Sequence, residues 1–156
     1  MLKRYEKSHG YHALPVYQDF REHIPEACLL GKEREAFLAE YPLILNAGSR
    51  RPQFFHSRTY RMAWLRNLEE AALLEMHPSD AEAREIHDGD PVQVVSSCGS
   101  ISAVAELNPS CHPGVVRFYH GNPQADVNEL IPEEYLDPVS GFPGFKSWFC
   151  EVKRYA

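Results

Sequence analysis

The chain has no apolar run near the ~20 residues that a membrane span requires, and Lys3, Arg4, Glu6 and Lys7 have no apolar stretch behind them, unlike a signal peptide. Its four cysteines, Cys28, Cys98, Cys111 and Cys150, form no Cys-x-x-Cys pair, which argues against structural zinc or an iron–sulfur cluster and for free thiols. There is no Gly-x-x-x-x-Gly-Lys phosphate loop, no Gly-x-Ser-x-Gly elbow, no internal repeat and no low-complexity tract. A formal net charge of −6 speaks against bulk nucleic-acid binding. What remains is a 156-residue chain, 44% hydrophobic and 24% charged, enough for one well-buried core.

Positive charge is unevenly spread. Arg50, Arg51, Arg58, Arg61 and Arg66 fall within seventeen residues and are five of the eleven arginines. An arginine-rich loop in an acidic protein suits a small anionic ligand, and equally a solvated face that makes salt bridges. His9 and His12 have ligand-like spacing but sit in a polar lead-in and read as solvated side chains.

The chain divides at about residue 40. Residues 1–40 are polar, contain Pro15 and Pro25, and carry one helix-like patch, Lys32 to Ala39; they read as a partly ordered lead-in or linker, with a true N-terminal subregion of the fold as the competing reading. Residues 41–156 read as one β-domain. Pro42 to Asn46 is a short strand ending at Ala47-Gly48, and Leu73 to Met76 a second. Thr59 to Leu68 has room for one or two helical turns. Ser79-Asp80 reads as an N-cap pair for a short helix Ala81 to Glu85, and Gly89 supplies a turn that needs positive φ. Val92 to Val95 and Ile101 to Leu107 form a hairpin through Ser96 to Ser100, Val115 to His120 a fifth strand, and Trp148 to Lys153 the last. Six short strands with a capping helix predict a small β-barrel.

Three loops could carry function. Asn46 to Thr59 combines Gly48, arginines and small hydroxyls, the set that holds phosphate oxygens and a flat polar heterocycle. The others are Gly121 to Asn128 and Asp137 to Lys146.

These blocks carry a resemblance. Tyr41 to Leu45 leads into Gly48-Ser49-Arg50-Arg51 and Phe55-His56-Ser57. Met76 to Ala81 runs on to Ile86-His87-Asp88-Gly89-Asp90-Pro91-Val92, with Gly99 in the hairpin. Pro113 to Val116 is followed by His120-Gly121 and Asn128, and Asp137-Pro138, Ser140-Gly141 and Pro143 by Lys146. In this order they resemble the C-terminal domain of the dimethyl-sulfoxide-reductase family of molybdopterin oxidoreductases, its formate dehydrogenase and acetylene hydratase-like branch. Asn122-Pro123 stands where many relatives carry tryptophans, and Phe145 where a tyrosine often precedes the lysine.

The resemblance implies a six-stranded double-psi β-barrel of the aspartate-decarboxylase-like kind, with short capping helices, that clamps molybdopterin guanine dinucleotide. It implies that Gly48, Ser49 and Arg50 lie along the pyrophosphate and pterin, that His56 and Ser57 donate to the same cofactor, that Asn128 meets a pterin edge and that Lys146 holds a polar or anionic part. It places no catalytic residue and no metal ligand here. Molybdenum or tungsten, and any iron–sulfur cluster, would belong to other domains of the same oxidoreductase, which are the expected partners. The chain would then have no turnover alone. A cytoplasmic setting is expected, a periplasmic one staying open if a longer chain carries a signal upstream. Two other readings use the same barrel: a pyruvoyl-type decarboxylase, from Gly48-Ser49 or Gly99-Ser100, and a protein-interaction adaptor.

Overall fold

A computed structural model describes residues 7, 17, 19–55, 58–59, 61–68, 71–137 and 140–155. Six strands, β1 (Leu43–Ser49), β2 (Leu73–Met76), β3 (Pro91–Val95), β4 (Ser100–Leu107), β5 (Val115–Tyr119) and β6 (Trp148–Arg154), close into a barrel in the order β1-β5-β2-β4-β3-β6. β1 runs parallel to β5 and β2 parallel to β4, while the remaining neighbours are antiparallel. Each parallel pair joins strands separated in the chain by intervening structure, and the two crossovers interlock as a double-psi β-barrel. Closure leaves no free sheet edge.

Alternation of side chains explains the strands. Leu43, Leu45 and Ala47 point inward from β1, Leu74 and Met76 from β2, Val92 and Val94 from β3, and Val116 and Phe118 from β5. The period-2 pattern of β-branched and aliphatic residues fills a narrow interior that only a barrel of this size can enclose. β6 differs, because Trp148, Phe149 and Cys150 are consecutively buried. Its outer face is covered by a 3-10 turn, Glu26–Leu29, and by helix α1, Arg34–Glu40. Ile24, Cys28, Leu29, Phe37 and Tyr41 form an aromatic-rich second core with Trp148 and Phe149. The Phe37 ring meets the Phe149 ring edge-on at 6.1 Å and the Trp148 ring at 5.9 Å.

A second helix, α2, occupies Ala63–Arg66, and a third, α3, Pro78–Glu82. α3 begins three residues earlier than the expected Ala81 start. Pro78 takes its first position, where a missing N–H costs nothing, and the His77 ring, not Ser79-Asp80, caps it by accepting from Ser79 N at 3.1 Å. Asp80 is freed to accept from Gly114 N at 2.7 Å, tying the helix to the entry of β5. Asp90 accepts from His87 N at 2.9 Å and Asp88 from Leu107 N at 2.8 Å, while Gly89 sits at φ +82°. The acidic turn is therefore structural.

After α3 the chain makes a left-handed cap: Ile86 N donates to Ala81 O at 3.0 Å, and Glu85 sits at φ +55°. That is the position glycine favours, because a Cβ crowds the carbonyl there. Glu85→Gly is expected to stabilise the fold by roughly 0.5–1 kcal/mol, read as a rise in the thermal midpoint.

Candidate cofactor cleft

The ends of β1 and β5 and two long loops enclose a cleft of about 620 Å³. One wall is Ala47 and Gly48 at the end of β1, and the second is His120, Gly121, Asn122 and Pro123 beyond β5. Asp126 and Asn128 form the third side, and Phe142 and Phe145 the fourth. The three candidate loops therefore meet at one mouth.

Local hydrogen bonds fix these walls. Ala47 N donates to Phe145 O at 2.7 Å, joining β1 to the loop before β6, and His120 N donates to Ser49 O at 3.1 Å, joining β1 to the exit of β5. Asn128 is the second residue of a 3-10 turn, Val127–Leu130, whose cap is Asp126: one carboxylate oxygen accepts from Asn128 N at 3.0 Å and from Asn128 Nδ2 at 2.8 Å. The Asp126 charge is thus engaged locally, and the bond to Asn128 Nδ2 holds that side chain in place at the cleft. Asp137 organises the last loop in the same way, accepting from Ser140 N at 2.7 Å and from the Ser140 hydroxyl at 2.8 Å.

Gly48 is where a side chain would intrude. A Cβ there would lie 2.8 Å from Lys146 Cε and 3.1 Å from Cγ, so the lysine stem lies along bare backbone. The Lys146 side chain is exposed, and no salt bridge engages its ammonium among the described residues. A cation beside a glycine backbone, at a cleft lined also by an asparagine and aromatic rings, has the chemistry for a ligand with an anionic middle and flat polar ends. A second, more open depression of about 700 Å³ sets Glu82, Glu85 and Asp88 against a single arginine, Arg154, a balance that disfavours such an anion.

Of the residues singled out from sequence, Gly48 and Asn128 line the cleft and Lys146 lies against Gly48. Ser49 follows Gly48 but is paired across to Tyr119. Arg50 is exposed, its guanidinium 5.1 Å from the Phe55 ring centre. His56 and Ser57 lie outside the described residues. His120, Asp126 and Phe142 were not singled out. Asp126 and Phe142 fall inside two loops too rich in Pro, Gly, Asn and Asp to be plain connections, while His120 closes the expected fifth strand and is marked only by the resemblance.

Arg51 turns away from the role expected of an anion-binding loop. Its Nη1 lies 3.6 Å from Glu75 Oε1 and its Nη2 2.7 Å from Glu106 Oε2, with the guanidinium 4.2 Å from the Tyr119 ring centre. Arg58, Arg61 and Arg66 are exposed. The arginine cluster therefore does not act as one patch.

Glu75 is a buried carboxylate on the outer side of β2. It accepts from Tyr119 OH at 2.6 Å, Asn108 Nδ2 at 3.0 Å and Arg117 Nε at 3.0 Å. Burial alone would raise its pKa, but the hydrogen bonds from Tyr119, Arg117 and Asn108, with the Arg117 charge, outweigh it and hold the carboxyl below its ordinary value. Tyr119 moves the other way: burial, then its bond to Glu75, pushes the phenol up to about 12.

The closed barrel with its loop-built cleft is the architecture of a cofactor-binding module. Residues 43–149 match the family described as "Molydopterin dinucleotide binding domain". The chain belongs to that family, and the cofactor is the corresponding molybdopterin guanine dinucleotide. It is 31% identical over 130 residues to dopamine dehydroxylase of Eggerthella lenta, covering 76% of this chain and 13% of that protein. It is 33% identical over 123 residues to the F420-dependent formate dehydrogenase subunit alpha of Methanocaldococcus jannaschii, covering 74% of this chain and 17% of that one. The solved acetylene hydratase from Pelobacter acetylenicus shares the fold with a TM-score of 0.78 and 23% identity, over 97% of this chain and 22% of that one. The chain thus spans less than a quarter of these relatives. Among the described residues no helix is long and apolar enough to cross a membrane.

Proposed function

We propose that this chain is the cofactor-clamping domain of a larger molybdenum or tungsten oxidoreductase and has no turnover alone. In this reading Gly48, Ser49 and Arg50 lie along the pyrophosphate and pterin of molybdopterin guanine dinucleotide. Asn128 accepts from a pterin edge and Lys146 pairs with an anionic oxygen, while His56 and Ser57 belong to the same loop's contribution. The metal, held by ligands outside this chain, supplies the redox chemistry when the cofactor is bound. Partners are the other domains of the same enzyme. The observation that carries the reading is the Lys146 stem laid along Gly48 at the mouth where the three loops meet.

Titration with GDP, followed by amide chemical shifts, tests it. Shifts are expected at residues 47–50, 120–128 and 142–146. Lys146→Met should weaken GDP binding about tenfold, the scale of one charge-assisted hydrogen bond, and Asn128→Ala a few-fold. Shifts confined to the depression around Glu82 and Asp88 would overturn the residue roles. Stoichiometric molybdenum on the purified chain would overturn the placement of the metal ligand elsewhere.

A further inference from the structure

A buried carboxylate on the outside of a small barrel needs an explanation. Taking an ion out of water is costly until its partners offset the loss, and an apolar residue of similar size is often as good for stability alone. Glu75 nevertheless occupies such a place, 3% exposed, in the middle of the four-residue strand β2.

Three of its partners, Arg51, Arg117 and Tyr119, come from the segments that build the cleft. Arg51 lies two residues after Ser49, on the loop leaving β1. Tyr119 immediately precedes His120 and is paired with Ser49. Arg117, which also binds Glu75, is paired with Asn46 on β1 on one side and with Glu75 itself on the other. Asn108, and Cys111 with Sγ at 3.7 Å, belong to the connection that feeds β5. Arg51 bridges the group by meeting Glu75, Glu106 and the Tyr119 ring at once. Two glutamates and two arginines make the group neutral in sum, so it does not itself attract an anion.

We infer that Glu75 is a positioning residue for the cofactor cleft: through Arg51 and Tyr119 it holds the ends of β1 and β5 together, and so sets the spacing of the walls at Gly48 and His120. Glu75 itself does not line the cleft. The inference rests on the cofactor role proposed above, but half of its test does not. The structural element that reports it is the bond from His120 N to Ser49 O, which spans the two strand ends.

The experiment compares the full chain with Glu75→Gln, Arg51→Met and the double variant, at a temperature where circular dichroism shows all of them folded. Amide hydrogen exchange is expected to accelerate about tenfold or more at Ser49 to Arg51 and at His120 in each variant, with the β3–β4 hairpin unchanged. GDP affinity should fall about tenfold in each single variant, and the double should be no weaker than the worse single, because both remove one shared anchor. Acceleration spread evenly over all strands would mark a merely structural residue and overturn the inference, as would unchanged exchange at the cleft walls. Should Glu75→Gln fail to fold, Arg51→Met decides the matter by the same readouts. If the unaltered chain gives no GDP shifts at the cleft, the proposed cofactor contacts fail, while exchange at His120 still decides whether Glu75 holds the walls. Cleft binding by the unaltered chain with equal GDP affinity in the variants overturns the positioning inference alone.

Discussion

Gly144→Ala is expected to cost roughly 3 kcal/mol and to lower the thermal midpoint by about 10 °C. A Cβ at this position would lie 2.1 Å from Tyr135 Cε1 and 2.2 Å from Cδ1, far inside van der Waals contact. The ring cannot give way cheaply. It packs on the buried Trp148 ring at 5.1 Å, its hydroxyl meets Ser147 Oγ at 3.2 Å, and Tyr135 O accepts from Gly144 N at 3.1 Å. Gly141 provides the comparison. It sits at φ +69°, and a Cβ there would meet nothing within 4 Å, so Gly141→Ala should cost only the backbone strain, about 1 kcal/mol. Equal losses at both positions, measured by thermal or urea unfolding, would show that crowding against Tyr135 is not the cause. Because the same turn carries Phe145 and Lys146, Gly144→Ala should weaken GDP binding as well.

Glu75→Ala is the second large effect, about 3 kcal/mol, since it strands Arg117 and Arg51 without their shared acceptor. The partial exposure of Arg117 keeps the loss at the lower end of what a broken buried pair costs. The sign of the pH dependence follows from the carboxyl being held below its ordinary value. A depressed folded pKa contributes stability that is present above the unfolded value and lost as pH falls through the folded one. The stability gap between the unaltered protein and Glu75→Gln should therefore stay level near neutrality and narrow below about pH 4. Tyr119 acts on the alkaline side, because its phenol is pushed up to about 12. The stability that the neutral phenol brings is present below the unfolded value of about 10 and fades as pH rises through the folded one. Denaturation of Tyr119→Phe beside the parent, scanned from neutral to alkaline pH, checks it. A gap that widens with acid would refute the assignment at Glu75.

The barrel was legible because its signal is local and repeated. Val92 and Val94, Leu74 and Met76, and Val116 and Phe118 alternate as strand residues do, and Gly89 marks the turn between α3 and β3. What sequence could not show depends on partners distant in the chain. Phe37 and Cys28 look unremarkable in a polar segment, yet they are buried against Trp148 and Phe149 more than a hundred residues away. Arg51 shares a run with Arg50, and only the fold directs it to Glu75 and Glu106. The helix cap at His77 was hidden because Ser79-Asp80 offered the commoner signal two residues on. The cleft was half legible. Its loops were marked by their composition, but His120 and Phe142 join Gly48 only through barrel closure.

The pairing of β1 with β6 has a consequence for how the domain is made. Leu43 meets Cys150 and Leu45 meets Trp148 across the closing seam, so the barrel cannot shut until its last strand has left the ribosome. Contacts of such long sequence separation form slowly. Lys146, two residues before that strand, is delivered to Gly48 in the same event. The cleft is completed only when β6 seats, so a ligand that needs both Gly48 and Lys146 meets its whole site after the domain is synthesised.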